Sequence, residues 1–357
     1  MWDQETREIR INPIVPGESV LVATARSMRP KKAEELAPRD TRKRVDTCPF
    51  CRGNEDKTPP ELFRLPDSGD WEVRLVPNLY PVLGDDRESA NFAFGLQQTI
   101  DGYGRHEVFV DHPDHGAAIH EWSAEHLTRV FCAYKRRMRE LYESDPRLKY
   151  VLVFKNFGPA AGASIPHTHS QIIAMPVTPV NVIGEVENSA AYFAKHHRCI
   201  FCSLIDEALT FEATIYDRAS GAIRRKVSVG QYVVERGEKF IAIKPFASRY
   251  EWEVHILSLV HQHDFLTVSE ADMADLARVM RRTMARLDAV IGGAQYNFFL
   301  HSAPHDGGNH AASYHWHLEI CPRTSIPTGF ELGSGLFVNT ISPEAAAKRL
   351  REAEIAQ

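Results

Sequence analysis

The stretch that decides the interpretation of this sequence reads Asn156-Phe157-Gly158-Pro159-Ala160-Ala161-Gly162-Ala163-Ser164-Ile165-Pro166-His167-Thr168-His169-Ser170-Gln171. It lies between two apolar, β-branched runs, 150–154 and 172–175, which predict strands. If the second strand opens with His-x-His-x-Gln, the side chains of His167, His169 and Gln171 point to one face. Two imidazoles and a carboxamide beside a loop of small residues are typical of a phosphate-handling site. Alternatively, these residues could form only the polar face of an edge strand. This interpretation is disfavoured because histidine is a scarce residue and such a row rarely arises as surface alone.

Composition places the chain among soluble globular proteins. It has 357 residues, of which 43% are hydrophobic and 25% charged, so two domains or one duplicated fold can form. The net charge of −5 argues against a protein that binds nucleic acid through a basic field. The first residues lack the apolar core of a signal peptide, and no run approaches the roughly 18 apolar residues of a membrane span. A cytoplasmic location is therefore expected.

Two long amphipathic helices are predicted, each beginning after a serine cap. Ser123 precedes a helix that extends to about Glu143, and Ser269 precedes a second one that extends to about Ile291 and ends at Gly292. The apolar residues of the first helix recur at helical spacing and predict a buried face. Its members are Leu127, Val130, Phe131, Tyr134, Met138 and Leu141.

Several features of the sequence occur twice in the same order. The Cys-x-x-Cys pairs begin at Cys48 and Cys199, which are 151 residues apart, and the His-x-His pairs begin at His167 and His315, which are 148 residues apart. The two serine caps are separated by 146 residues. This repetition predicts a tandem duplication of an α+β, histidine-triad-like unit with antiparallel strands and one main helix per copy. The expected domains are 1–185, carrying the catalytic site, and 186–357.

Each copy also offers the ligands of a metal site. Two thiolates and two imidazoles suit a tetrahedral zinc ion, closed by protein and therefore structural. A redox-active cysteine pair is the alternative, but neither pair lies in a βαβ context. His112 or His263 could replace the lone histidine of its set, His310 is a weaker candidate ligand, and zinc or iron could fill the second site. The predicted sets are Cys48, Cys51, His115 and His167, and Cys199, Cys202, His261 and His315.

If His167 binds metal, His169 is the free imidazole of the predicted strand. A neutral imidazole is a good nucleophile towards phosphorus near neutral pH, because its ordinary pKa is about 6.5. Attack on the α-phosphorus of a nucleotide diphosphate would form a nucleotidyl-histidine. Gln171, Ser164 and the N–H groups of the 158–162 loop are expected to hold the charge that develops on the phosphoryl oxygens.

The second copy differs at the position that corresponds to Gln171. It retains a histidine, His317, where the first copy has His169, but it has Glu319 in place of the glutamine. A carboxylate beside a phosphate repels it. One catalytic strand per chain is therefore predicted.

From about residue 7 to 350 the chain resembles the galactose-1-phosphate uridylyltransferases of the histidine-triad superfamily. The segments that carry the resemblance are Cys48-Pro49-Phe50-Cys51, Val76-Pro77-Asn78-Leu79-Tyr80-Pro81, Arg105-His106-Glu107-Val108 and 156–171. The resemblance implies a homodimer and a ping-pong reaction in which UDP-glucose uridylylates a histidine and galactose 1-phosphate then accepts the uridylyl group. It implies that His169 is the nucleophile and that Gln171 contacts the transferred phosphate. It also implies substrate contacts from Arg26, Arg29, Asn78, Asn156, Gly162, Ser164 and Glu331.

Some positions depart from the pattern of that family. Ile165 and Thr168 occupy variable positions of the histidine motif, and the tail around Glu331 lacks a glutamine that helps hold the hexose. That tail and the second set of cysteines and histidines also resemble the related ADP-glucose phosphorylases, in which inorganic phosphate accepts the nucleotidyl group. The sequence thus leaves two acceptors open. A zinc module that binds protein or nucleic acid without catalysis is a third interpretation, disfavoured by the acidic balance and the pairing of His169 with Gln171.

Overall fold

A ten-stranded antiparallel sheet forms the centre of the structure, a computed structural model that describes residues 6–28 and 39–355. The helices are α1 (Ala124–Ser144), α2 (Val180–His196), α3 (Ile200–Thr210), α4 (Glu270–Ile291), α5 (Gly329–Ser334) and α6 (Pro343–Glu352). The strands are β1 (Arg7–Arg10), β2 (Val20–Ala23), β3 (Phe63–Leu65), β4 (Val73–Pro77), β5 (Asn91–Phe94), β6 (Gln97–Ile100), β7 (Arg105–Val110), β8 (Tyr150–Phe157), β9 (His169–Met175), β10 (Glu212–Tyr216), β11 (Ile223–Ser228), β12 (Val233–Arg236), β13 (Phe240–Ile243), β14 (Val254–Ser258), β15 (Tyr296–His301), β16 (His317–Pro322) and β17 (Phe337–Asn339).

The strand order of the sheet repeats itself about its middle. From one edge the order is β3, β4, β7, β9 and β8, and from the other edge it is β12, β13, β14, β16 and β15. The two halves join where β8 pairs with β15, for example Asn156 opposite Asn297. The duplicated, antiparallel α+β fold is thereby confirmed. The predicted boundary between residues 185 and 186 lies within α2 and stays a prediction.

The two long helices cover one face of the sheet. The Ser123 hydroxyl accepts a hydrogen bond from the His126 N–H at the start of α1, and Ser269 caps α4 in the same way through Asp272. All six apolar residues predicted for the buried face of α1 are buried, in one core with Val151, Val153 and Ile172. Because side chains alternate along a strand, Phe154 and Gln171 lie on the opposite face of the sheet.

Helices α2, α3 and α5 and the smaller sheets were not predicted. Helices α2 and α3 follow the first copy, and Cys199 directly precedes α3, so the second cysteine pair lies at the start of a helix. Outside the large sheet, β17 pairs in parallel with β2, which also pairs with β1. Among the described residues, no helix is both long and apolar enough to cross a membrane.

Candidate active site and metal centres

The loop between β8 and β9 is closed by its own hydrogen bonds. The N–H groups of Ala161 and Ala163 donate to the Gly158 carbonyl, and the Gly162 N–H donates to the Pro159 carbonyl. Gly158 and Gly162 have φ values of +86° and +84°, which glycine adopts without strain. The N–H groups of Ala161 and Gly162 are thus bonded within the loop, and the prediction that N–H groups of the 158–162 loop hold a phosphate stays a prediction. Ser164, just beyond them, is exposed.

The second half of the chain holds this loop in place. On β15, Asn297 donates through Nδ2 to the Asn156 Oδ1 and to the Ala161 carbonyl, both at 2.8 Å. The Gln295 Oε1 accepts from the Ala160 N–H at 2.7 Å. Hence Asn156 turns its oxygen to β15, and the Ala160 N–H is also occupied. Neither Asn297 nor Gln295, which directly precedes β15, was identified from the sequence, since only the β8–β15 pairing brings them to the loop.

His169 is the first residue of β9 and is 7% exposed. Its Nδ1 lies 2.7 Å from the His167 carbonyl oxygen, which can only accept, so the ring hydrogen is on Nδ1. The Nε2 atom therefore carries the lone pair. Burial is the largest influence on the pKa of His169 and lowers it. The Phe50 ring packs against this imidazole with 5.4 Å between ring centroids.

Behind His169, on the helix-covered side of the sheet, lies a buried ion pair. The Lys155 Nζ donates to the Asp111 Oδ2 at 2.7 Å and to the His169 carbonyl at 2.9 Å. Both charged side chains are fully buried. The Ser170 hydroxyl, at 2.6 Å, and the Tyr134 hydroxyl, at 2.9 Å, donate to the same carboxylate. Sequence reasoning missed this network, although a lysine within an apolar strand is the signal that could have identified it.

Gln171 lies two residues after His169 and contacts His106 of β7. The His106 Nε2 is 2.8 Å from the Gln171 Oε1, and the amide nitrogen of Asn78 is 3.0 Å from that same Nε2. The structure thus brings together the predicted residues Asn78 and Gln171. His106 connects them and was not predicted as a site residue.

The first cysteine–histidine cluster assembles as predicted and is buried. The Cys51 Sγ lies 3.5 Å from the Nδ1 atoms of both His115 and His167, and the Cys48 Sγ lies 3.7 Å from that of His167. A tetrahedral zinc ion with ordinary Zn–S and Zn–N bonds requires an S···N separation of about 3.5 Å, so the donor set fits. The His167 Nε2 donates to the His112 carbonyl at 2.8 Å, which leaves Nδ1 free for a metal. His112 therefore contributes its backbone, not its ring.

Because β9 begins only at His169, His167 lies in the preceding loop and faces the cysteines. The prediction that His167, His169 and Gln171 share one strand face is thus wrong for His167. The chain turns there, since the Thr168 N–H bonds to the His115 carbonyl.

The second cluster also assembles, with a more open geometry. The Cys202 Sγ lies 3.3 Å from the His261 Nδ1 and 3.6 Å from the His315 Nδ1. Cys199 and His315 are buried, whereas His261 is exposed. Of the alternative ligands, His310 instead contacts Asp306 at 2.9 Å.

Strand β16 follows this second cluster, and its residues at the positions of His169 and Gln171 are surrounded by charged side chains. The His317 Nε2 lies 3.5 Å from Glu319 and 3.7 Å from Glu185, and Arg249 binds the Glu319 carboxylate at 2.6 Å. Burial lowers the pKa of His317, but the two carboxylates outweigh it and raise the pKa to about 10. The prediction that this copy is silent stays a prediction, supported by the carboxylate of Glu319 at the position of Gln171. Glu185, His301, His317 and Glu319 also form a possible metal-binding group that the sequence analysis missed, because Glu185 lies on α2.

Two predicted substrate-binding residues lie outside the large sheet. Arg26 lies in the short 3-10 helix Thr24–Met28 after β2, and Glu331 lies in α5, where its carboxylate accepts from the Thr328 hydroxyl at 2.7 Å. Burial raises the pKa of Glu331, but that hydrogen bond and the positive charge of Arg26 lower it overall. Among the described residues, neither side chain contacts His169. Arg29 lies outside the described residues.

Comparison with known proteins identifies the family. The model for the N-terminal domain of galactose-1-phosphate uridyl transferase matches residues 1–179, half of the chain. The chain belongs to the galactose-1-phosphate uridyl transferase family.

Within this family the chain is similar to proteins with two different names. It is 29% identical to an ADP-glucose phosphorylase of Arabidopsis thaliana over 99% of this chain and 95% of the relative. It is 26% identical to a galactose-1-phosphate uridylyltransferase of Thermotoga maritima over 98% of this chain and 99% of the relative. The crystal structure of the Arabidopsis thaliana ADP-glucose phosphorylase with bound ADP-glucose has a TM-score of 0.81, 27% identity and coverage of 99% and 100% of the two chains. Membership of this family therefore does not decide which nucleotide is bound or which acceptor is used.

Proposed function

We propose that this chain is a nucleotidyltransferase that exchanges UMP between UDP-glucose and galactose 1-phosphate through a covalent nucleotidyl-His169. The observation that carries the proposal is the orientation of His169. Because its Nδ1–H is held by the His167 carbonyl, Nε2 is the nucleophilic atom, and Gln171 follows on the same face of β9. The relatives named galactose-1-phosphate uridylyltransferase support the choice of reaction.

The reaction has two displacements at one phosphorus atom. In the first, Nε2 attacks the α-phosphorus, an N–P bond forms, and the P–O bond to the hexose 1-phosphate breaks. In the second, a phosphate oxygen of the acceptor attacks the same phosphorus, and the N–P bond breaks to return the lone pair to Nε2. The chain contributes position and charge stabilisation rather than proton transfer, because a phosphate is a good leaving group.

A second candidate function uses the same histidine. The similarity to the Arabidopsis thaliana ADP-glucose phosphorylase, at a TM-score of 0.81, favours an adenylyl group on His169 and inorganic phosphate as the acceptor. The two candidates differ in the base and in the second displacement only.

Incubation with a single nucleotide sugar separates these candidates. With UDP-glucose and no acceptor, we expect intact-mass spectrometry to detect one added UMP, which galactose 1-phosphate then removes. An adduct from ADP-glucose alone, removed by inorganic phosphate, would instead establish the phosphorylase. Absence of an adduct from either sugar, in protein that holds its metal, would contradict the covalent mechanism.

We propose zinc for the first cluster and zinc or iron for the second. Cys48, Cys51, His115 and His167 would hold a structural zinc ion that fastens the loop immediately before His169. The cytoplasmic location is a further proposal that rests on the sequence pattern. The homodimer and the substrate contacts are proposals that rest on the family resemblance, and the contact residues are Arg26, Arg29, Asn78, Asn156, Gly162, Ser164 and Glu331.

Matched cysteine variants test the two clusters separately. Cys51→Ser is expected to remove one zinc ion per chain and to lower both the melting temperature and the adduct yield, because that cluster is buried beside His169. Cys202→Ser is expected to remove the second metal ion while the adduct still forms. Elemental analysis and thermal melting measure these changes. An unchanged zinc content in Cys51→Ser would exclude this cluster as a zinc site.

A further inference from the structure

His106 has both ring nitrogens engaged. It lies on β7, is 8% exposed, and its Nδ1 faces the backbone N–H of Val82 at 3.2 Å. Because that N–H can only donate, Nδ1 accepts and the hydrogen of the neutral ring is on Nε2. Nε2 therefore donates to the Gln171 Oε1, 2.8 Å away, and the Asn78 amide nitrogen, 3.0 Å from the same Nε2, packs beside this N–H without donating to it. Burial lowers the pKa of His106 and so favours this neutral ring.

This hydrogen bond decides which end of the carboxamide is free. With Oε1 occupied by His106, the two N–H groups of Gln171 are the end left for a ligand. An amide rotated by 180° would place its oxygen there instead, and an oxygen lone pair repels a phosphoryl oxygen. Two orientations of a glutamine amide differ little in shape, so a fixed donor is needed to select one.

We propose that His106 is a positioning residue that orients Gln171 so that its N–H groups face the transferred phosphoryl group. The inference rests on the proposed function, because it requires a nucleotidyl group on His169. It assigns His106 a role through Gln171 rather than contact with the substrate.

The residues of the second copy that correspond to His106 and Gln171 support this assignment. Gln171 pairs with Val108, and Glu319 pairs with His255, so Glu253 takes the position of His106. There Glu253 contacts His255 at 2.9 Å, and the Glu319 carboxylate is bound by Arg249. A carboxylate has two equivalent acceptor oxygens and no donor, so it has no orientation to select. The orienting histidine thus occurs only in the copy that has an amide.

A double-mutant cycle tests the coupling of His106 to Gln171. The measured quantity is the rate of nucleotidyl adduct formation at saturating UDP-glucose or ADP-glucose, for His106→Leu, Gln171→Ala and the double variant. We expect His106→Leu to slow the adduct about tenfold in the native background and to have little effect when Gln171 is already alanine. His106→Gln, which retains an N–H donor, is expected to restore part of the rate.

The other outcomes are distinguishable. An equal slowing by His106→Leu in both backgrounds, or an unchanged rate in the native one, would overturn the positioning role. A higher half-saturating concentration of the nucleotide sugar with an unchanged rate at saturation would also overturn the positioning role. The reason is that the orientation of Gln171 acts on the charge that develops during the reaction, and so on the rate at saturation. If His106→Leu does not fold by thermal melting, His106→Phe, which also lacks an N–H donor, provides the same comparison in the two backgrounds. Absence of any adduct in the native protein would instead overturn the proposed function, and this inference with it.

Discussion

Replacing His169 by alanine is expected to abolish the nucleotidyl adduct and to lower turnover by roughly 10⁴-fold or more. The reason is chemical, because the variant lacks the only atom that the mechanism uses to form the N–P bond. Apart from its packing against the Phe50 ring, His169 contributes little else to the fold, since its hydrogen bond to the His167 carbonyl is local. The variant should therefore retain a melting temperature close to that of the native protein. Steady-state kinetics and intact-mass spectrometry measure the two effects.

The duplication provides a matched control for this experiment. His317→Ala makes the same substitution at the corresponding position of β16, where the ring contacts Glu185 and Glu319 instead of a free site. We expect the yield of adduct per folded molecule to equal that of the native protein. Some stability should be lost, because two buried carboxylates lose a cation. The assignment of the nucleophile would be wrong if His169→Ala still gave the adduct or if only His317→Ala lost it.

The largest expected effect on stability comes from Lys155. Substitution by methionine keeps most of the volume of the side chain but leaves the Asp111 carboxylate buried without its cation, which costs about 3–5 kcal/mol. The His169 carbonyl also loses its donor, so the position of the nucleophile is expected to become less well fixed. Denaturant unfolding measures the stability, and the adduct rate in folded protein measures the second effect.

Two further variants show whether the effect comes from the unpaired charge. Lys149→Met, one residue before the same strand, alters a half-buried lysine whose ammonium group contacts the Pro146 carbonyl at the surface, and its effect should lie within about 0.5 kcal/mol. The double variant Lys155→Met with Asp111→Asn should recover part of the loss, because the remaining group is neutral. A loss below about 1 kcal/mol for Lys155→Met alone would contradict a buried ion pair at this position.

The sequence predicted local elements well because their signals are local. Ser123 and Ser269 cap their helices, and the predicted apolar face of α1 is buried, as periodicity and capping indicate. The two sets of cysteines and histidines that could hold a metal ion also followed from the sequence, since the repeat indicates which histidines correspond. Helix α2 was missed, because its apolar residues were attributed to a boundary between the two copies.

The sequence by itself determined the duplication, the histidine of each copy and the two cysteine–histidine sets, because those depend on residue type and spacing. Only the tertiary structure decided the surroundings of each histidine. The pairing of β7 with β9 brings His106 to Gln171, the pairing of β8 with β15 brings Asn297 to the loop, and α2 brings Glu185 to His317. These partners are 65, 136 and 132 positions away in the chain, and no local pattern encodes such contacts. The physical reason is that the orientation and the charge of a side chain at a site depend on its neighbours in space. Those neighbours are determined by how the strands and helices pack around the buried sheet.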